Sequence, residues 1–553
     1  MKSRLFDTKS PDKLISEAEA PERKMKRALT SFDLTALGIG AIIGAGIFAL
    51  TGTAAAGQSF KSGIETPIIN YIISWVTGDP LQLGRAGAGP AIILSFIVAA
   101  IACAFAALCY AEMASMIPIS GSAYTYSYAT LGELIAWIIG WDLILEYAVG
   151  NIAVAVSWSD FFIRMLNNLT GIKLPLWLVK DHATASAWVE KAEKLALNQQ
   201  GQLPLTGQEI EEFSQAAQNL INYSSSHLPS LFGQTISFNL PALLIVALLT
   251  VLLVIGIRES ARFNTAAVII KVSVIVFFIA LGAFYVSPNN WQPFMPNGFA
   301  GVMGGAAIVF FAFIGFDAVS TTAEETRNPQ RDIPIGMIAS LVICTLLYVA
   351  VSGVLTGMKK YTAFVDDAAA MATAIEVTGK PWLQALISAG ALAGTTSVLL
   401  VFQLGQPRIF MAMARDGLLP QYFARIHPHF RTPHITTIWT GVFVGVIAAI
   451  IDIGSAAELT NIGTLFAFCL VCAGVIALRR SSPAQPRPFR CPAVPLVPLL
   501  GILFCFALML SLPGLTWLRF LIWLAAGLVI YFFYGYRHSE LAKERRSQRT
   551  TGN

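Results

Sequence analysis

The stretch Leu37–Thr53, LGIGAIIGAGIFALTGT, is apolar enough to cross a bilayer, yet Gly38, Gly40, Gly44, Gly46 and Gly52 run through it. Glycine costs roughly 1 kcal/mol against alanine inside a helix. A helix that only had to cross lipid has no need of so many. The physical reading is a helix broken near Gly44-Ala45-Gly46, where backbone N–H groups are released. Unpaired backbone at membrane depth survives only where it is buried in protein or lines a cavity. The competing reading is a small-residue face for helix packing. A second stretch, GVMGGAAIVFFAFIGFDAVSTTAEET over Gly301–Thr326, repeats the pattern with Gly315 in the middle and Asp317 just after it. Two interrupted spans far apart in one chain point to an inverted-repeat transporter with its site between the breaks.

The rest of the composition agrees. The chain has 553 residues, 55% hydrophobic and 12% charged, whereas soluble domains are about 25% charged. The small net charge of +5 reflects where lysine and arginine sit along the chain and gives no reason to expect a nucleic-acid partner. Spans of about 20 apolar residues cross a bilayer. Twelve candidates appear, at 33–56, 89–111, 132–158, 239–257, 263–286, 300–323, 334–357, 382–406, 434–453, 459–478, 493–512 and 515–535. With the N-terminus inside, the inner segments hold 25 Lys and Arg and the outer ones 10, Lys271 and Arg519 within spans being the remaining two of 37. The positive-inside rule therefore puts both termini in the cytoplasm. Met1–Thr30 lacks the apolar core of a cleaved leader, so the first span is expected to direct insertion.

Two segments look inserted between the spans. Residues 58–87 contain ETPIINYIISWV, too short to cross and suited to the outer interface. Residues 167–235 form a polar outside segment with helix-like runs AWVEKAEKLALNQQ and TGQEIEEFSQAAQNLI; Thr206 with Glu209 makes a candidate capping box there. Both insertions are read as surface caps remote from anything essential. Of the seven cysteines, Cys469 and Cys472 form a CxxC, but it lies in an apolar run without further ligands and is read as packing, so no metal and no cofactor is expected. No zinc HExxH and no GxSxG elbow is present, and an enzyme is not expected.

Three segments invite comparison with a known family: ALGIGAIIGAGIF, YAEMASMIPISGSAYTYSYATLGELIAWIIGWDLILEYAVG and FFAFIGFDAVSTTAEETRNPQRDIPIG. Together they resemble the cationic amino acid transporter family of the amino acid–polyamine–organocation superfamily, over nearly all of the chain except the insertions and tails. The resemblance implies an all-α integral membrane protein of about twelve transmembrane helices. It would have a five-plus-five inverted repeat with discontinuous helices one and six. The parts would be a tail at 1–31, a first repeat at 32–286 holding both insertions, a second repeat at 299–478, two peripheral helices at 493–535 and a tail at 536–553. It also implies an L-amino acid lying between the breaks. Its carboxylate would meet amides of Ala45, Gly46 and Ile47, beside Ile42 and Gly44. Its ammonium would meet carbonyls of Phe311, Ala312 and Ile314. The first set stands at the positive end of a half-helix, where an anion is favoured. Side-chain selectivity is expected from Asn151, Val154, Phe316, Thr395 and Thr396. The family name leaves substrate charge open, since bacterial members carry neutral amino acids as well.

Lys271 stands out among single residues. It sits about eight residues into its span, roughly 12 Å at 1.5 Å per residue. A lysine at that depth is costly and usually functional. In related transporters a lysine here takes the place of a sodium ion, so Lys271 is read as a proton carrier or a fixed charge; the plain alternative is a structural ion pair. Asp142 and Glu146, four apart on one helix face, and Asp317 are candidates for coupling or selectivity. Glu133 resembles a family glutamate at the start of its helix. Glu324, Glu325, Arg327, Arg331 and Asp332 read as a hinge or gate cluster just past span six.

The expected function is proton-coupled import of L-amino acids across the plasma membrane, the inner membrane in a bacterium, by alternating access. The partners are the amino acid, protons and membrane lipid, with no nucleic acid; a small accessory membrane subunit is left open. Small neutral amino acids are expected first, arginine and lysine second. The alternatives are an amino acid exchanger without net proton movement, a cationic amino acid uniporter and, from another class, a transporter-like sensor.

Overall fold

The protein is described by a computed structural model over residues 5–9, 29–58, 63–78, 81, 83–119, 122–205, 207–231, 234–255, 261–365, 367, 369–430 and 432–543. Among the described residues, eight helices are long and apolar enough to cross a membrane, and a bent pair, Ser31–Ile42 (α1) with Gly46–Ala56 (α2), makes a ninth span if counted as one; three shorter apolar helices accompany them. The chain is a multi-pass, all-α membrane protein.

After α2 come Ile68–Thr77 (α3), Ile92–Met116 (α4), Ser122–Thr130 (α5) and Glu133–Thr170 (α6). The long insertion supplies His182–Gln199 (α7) and Gly207–Leu220 (α8). Leu240–Ile255 (α9), Ala261–Gly282 (α10) and Gly298–Val309 (α11) follow. The second half holds Pro329–Met358 (α12), Ala370–Ile375 (α13), Pro381–Arg415 (α14), His434–Ala448 (α15), Ile453–Ser481 (α16), Leu496–Leu510 (α17) and Gly514–Ile530 (α18). Two short antiparallel pairs complete it: β1 (Gly57–Gln58) on β2 (Arg85–Ala86), with Gly57 opposite Ala86, and β3 (Ser230–Leu231) on β4 (Gln234–Thr235).

Local chemistry explains the helix starts. Thr30 and Asp33 form a capping box at α1, with the Asp33 carboxylate accepting from the Thr30 amide at 2.9 Å. Asp181 caps α7 through the Thr184 amide at 2.9 Å, and Asp452 caps α16 through Ser455 at 2.9 Å. Pro329 and Pro381 open α12 and α14, where the missing N–H costs nothing. The expected Thr206–Glu209 capping box lies outside the described residues.

The bundle packs around one continuous apolar core. α6 lies against α14 and α16, α12 against α4 and α1, and α10 against α14 and α1. The broken helices α1–α2 and α11 sit inside this arrangement. The insertion has a small core of its own, Leu176, Ala185, Trp188 and Ala216. In the shorter insertion, α3 leaves Tyr71, Ile72, Trp75 and Val76 exposed, the face that an interfacial helix presents. α6 is longer than the span read from sequence. It runs on to Thr170 and stops at Gly171, whose φ of 70° is the left-handed conformation usual after a helix.

Candidate functional site

α1 ends at Ile42, and Ile43 turns extended at φ −76° and ψ 100°. The chain resumes as a helix at Gly46 after a bend of 44°. Phe48 is the first amide to reach back, to the Gly44 carbonyl at 3.5 Å. The amides of Ala45, Gly46 and Ile47 stand ahead of it, at a helix N-terminus. The second break follows Phe310–Phe313, and Gly315 takes φ +114°, a backbone conformation that L side chains rarely adopt. Gly46 has a different reason to be glycine: a Cβ there would run into the Ala312 backbone. The two breaks therefore touch, and both are fully enclosed.

The carbonyls that the first break frees are taken by side chains from elsewhere. Lys271 on α10 is completely buried, and its Nζ donates to Gly40 O at 2.7 Å and Ile43 O at 3.1 Å. The C-terminal end of a helix carries partial negative charge, so an ammonium suits it. Among the described residues Lys271 meets these backbone carbonyls and no carboxylate within ion-pair distance. The Tyr348 hydroxyl lies 2.9 Å from both Ile42 O and Ala312 O, so it bridges the two breaks and donates to one or the other. Asn461 Nδ2 donates to Ala307 O at 2.7 Å and Ile308 O at 3.2 Å, which steadies α11 just before its break. Sequence reasoning missed Tyr348 and Asn461, because a lone polar residue in an apolar span carries no local sign of its partner.

The expected ammonium site is partly engaged within the fold. Phe311 O accepts from the Ile314 amide at 3.3 Å, and Ala312 O faces Tyr348. α14 backs the first break, with Gly394 against Phe48 and the stem of Lys271, and Val398 against Gly44. That brings Thr395 close to the break, but its hydroxyl donates to Ala391 O at 2.8 Å. Thr396 accepts from Trp158 Nε1 at 2.9 Å and so ties α14 to α6. Asn151 and Val154 are buried on α6, and neither polar atom of the Asn151 side chain has a partner among the described residues. The Phe316 ring packs on Phe468 at 5.1 Å and on Tyr110 at 6.0 Å.

Asp142, Glu146 and Asp317 are all buried, and Glu146 lies within electrostatic reach of the other two. Neither Asp142 oxygen meets a donor among the described residues; Gly463 leaves room for it, since a Cβ there would come 2.5 Å from Oδ1. Glu133 accepts from Tyr531 at 3.0 Å and Tyr128 at 3.3 Å, joining the start of α6 to the end of the chain's last span. Beyond the second break, Leu29 exchanges backbone hydrogen bonds with Glu325 O at 3.0 Å and the Arg327 amide at 2.9 Å. Arg331 lines an open groove with Pro334, Ile335 and Phe489. The side chain of Glu324 lies outside the described residues. Cys472 packs against Gly501, and Cys469 lies near Ile502 O.

Charge pairs on the face that carries the insertion were not foreseen. Arg85 on β2 is buried against Glu458 of α16, which also accepts from Thr516 at 3.0 Å. Lys180 of the insertion donates to Asp160 of α6 at 2.5 Å. Burial works against the Lys180 charge, but the carboxylate beside it holds the ammonium above the usual lysine range. Burial pushes the neighbouring Tyr223 up to about 12. The insertion is thus joined to a membrane helix by a buried pair.

Two half-helix ends meeting at a break, one offering amides and the other carbonyls, can hold a zwitterion without a charged side chain. Comparison with known proteins agrees with the class. Residues 29–534 match the amino acid permease family model. The chain is 44% identical over 541 residues to the branched-chain amino acid permease BcaP of Bacillus subtilis (strain 168), covering 98% of this chain and 100% of that protein. It is 42% identical to the methylthioribose transporter of the same organism, covering 97% and 99%. It is 32% identical to cationic amino acid transporter 9, chloroplastic, of Arabidopsis thaliana, covering 93% and 89%. With matched spans, broken helices and relatives in accord, this chain belongs to the amino acid permease family.

Proposed function

We propose that this protein imports L-amino acids across the plasma membrane by proton-coupled alternating access, with both termini in the cytoplasm. The observation that carries the reading is Lys271 Nζ on the Gly40 and Ile43 carbonyls, at the same break that begins the helix of Gly46–Leu50. The amides of Ala45, Gly46 and Ile47 would take the substrate carboxylate, and the carbonyls of the second break its ammonium. When it carries its proton, Lys271 holds the end of α1; without it, the hold weakens and the break is free to rearrange. Proton loading would thereby alternate with the direction of opening. Asp142, Glu146 and Asp317 would tune that step or the substrate charge. Side-chain choice would fall to Asn151, Val154, Phe316, Thr395 and Thr396. Neutral amino acids are the first expectation, and the branched-chain permease among the relatives supports it.

The test is uptake into proteoliposomes across an inward proton gradient, compared with counterflow at equal pH. Wild type should accumulate substrate with the gradient. A Lys271→Ala variant should lose accumulation and keep counterflow. Accumulation that ignores the gradient, or a variant that accumulates like wild type, overturns the proton role and leaves an exchanger. A second substrate reading rests on the methylthioribose transporter being almost as similar as the permease; methylthioribose belongs in the competition panel beside leucine, alanine and arginine.

A further inference from the structure

We propose that the 167–235 insertion is the fixed arm of a gate over the substrate path, latched by Arg164 to the segment 361–376. The proposal rests on the alternating-access reading and adds a part that this reading does not contain. The end of α6 carries Asp160, Arg164 and Asn167 at helical spacing on one face. Each engages a different piece. Asp160 takes Lys180 at 2.5 Å, with both side chains 5% exposed, and Lys180 also lies 4.8 Å over the Trp188 ring, inside the insertion's own core. Asn167 Nδ2 donates to Asn222 O at 2.9 Å. Arg164, between them, reaches across to Asp367 at 2.8 Å and Glu376 at 3.4 Å. A small, partly open cavity of about 20 Å³ lies among Asp160, Arg164, Lys180, Tyr223 and Asp367, room for a single water.

Asp367 is the other half of the latch. It is 4% exposed and is also held by the Ala369 amide at 2.9 Å and by the Thr373 hydroxyl. Its segment lies directly on α2. Phe364 and Ala370 pack against Gly52, and Thr53 reaches the Asp367 carbonyl at 3.5 Å. The insertion touches the same segment, since α8 packs on Tyr361–Phe364. α6 is one continuous helix, whereas α2 is the half-helix beyond a break. Opening toward this face moves α2, and the segment riding on it must then leave Arg164. Asp367 is buried while Arg164 stays 19% exposed, so the pair is stronger than a surface one but open to water on the Arg164 side, and its strength sets how often the path opens.

The insertion's part is to position Arg164. Lys180 on Asp160 neutralises the carboxylate one helical turn away, which would otherwise compete with Asp367 for the guanidinium. Arg164 and Asp367 are the latch, and Lys180 is a positioning residue.

The experiment measures access to the path in purified, detergent-solubilised protein. It needs neither a substrate nor a proton gradient, so its failure is distinguishable from failure of the coupling reading. A Thr53→Cys variant reports by its rate of reaction with a hydrophilic maleimide, against a background in which the native cysteines alone react. Adding Arg164→Gln, or separately Lys180→Met, should speed labelling by about 5-fold or more, the population shift expected from losing roughly 1 kcal/mol. The charge swap Arg164→Asp with Asp367→Arg should return it toward the slow rate. Should Lys180→Met fail to fold, Asp367→Asn keeps the test alive: it removes the latch from the other side and should speed labelling as Arg164→Gln does. If Arg164→Gln speeds labelling while Lys180→Met leaves it slow, the insertion is a passive cap. Slow labelling in Arg164→Gln and in Asp367→Asn overturns the latch.

Discussion

Glycine sits at Gly44 and Gly46 for different reasons, and substitution separates them. A Cβ at Gly46 meets the Ala312 backbone, which cannot step aside, whereas one at Gly44 meets only Val398 side-chain atoms at 3.1 Å. Gly46→Ala should therefore cost about 1–3 kcal/mol of overpacking and lower substrate binding with it. Gly44→Ala should fold and transport near wild type. Thermal melting and ligand binding of the two variants decide the matter; a fully active Gly46→Ala would show that the breaks need not touch. Tyr348→Phe tests the other bridge. It removes the hydroxyl that spans Ile42 and Ala312. A fall in stability of about 1–3 kcal/mol is expected, since a buried carbonyl is left unpaired. An unchanged melting temperature would mean that another donor takes over.

At the scale of elements, the question is which helices move together. β2 is held to α16 by the buried Arg85–Glu458 pair, and α18 joins through Thr516. Removing one partner strands a buried charge, at about 3–5 kcal/mol. Arg85→Ala should lower the melting temperature more than the double variant with Glu458→Ala does. Equal losses would mean that the pair itself contributes little. The placing of these elements was only partly open to a sequence reading. The glycine-rich breaks were readable because the signal is local: Gly315 must be glycine for its φ, and the run around Gly44 is improbable in a plain span. The length of α6 was not readable. Its last turns mix Asp160, Arg164, Asn167 and Asn168 with apolar residues, and the first three find partners in other segments.

At the scale of the whole molecule, the insertion was expected to stand apart, as its composition is that of a soluble helical pair. Its docking rests on Asp160, 20 positions before Lys180, and on Asn167, 55 positions before Asn222. The buried pair also bears on pH. The folded state holds the Lys180 proton more tightly than an unfolded chain does. Its contribution is therefore complete below the ordinary lysine range, about 10.4, and is lost only as pH rises through the raised folded value. Docking of the insertion, followed by protease resistance of residues 171–205, should then stay constant from neutral pH up to about 9. Release within that range would place the controlling group elsewhere.

Sequence alone determined the class of this protein and the position of its breaks, because apolar span length and glycine placement are written in consecutive residues. It also singled out Lys271, since a lysine in a long apolar run is conspicuous without knowledge of its neighbours. Only the tertiary structure decided what Lys271 pairs with, 231 positions away at Gly40, and that Tyr348 bridges to Ile42 across 306. The same holds for the insertion's ties to α6 and to the segment on α2. A backbone carbonyl exposed by a break leaves no mark on the residue that satisfies it. A charge at the end of a helix looks the same in sequence whether it faces water or a buried partner.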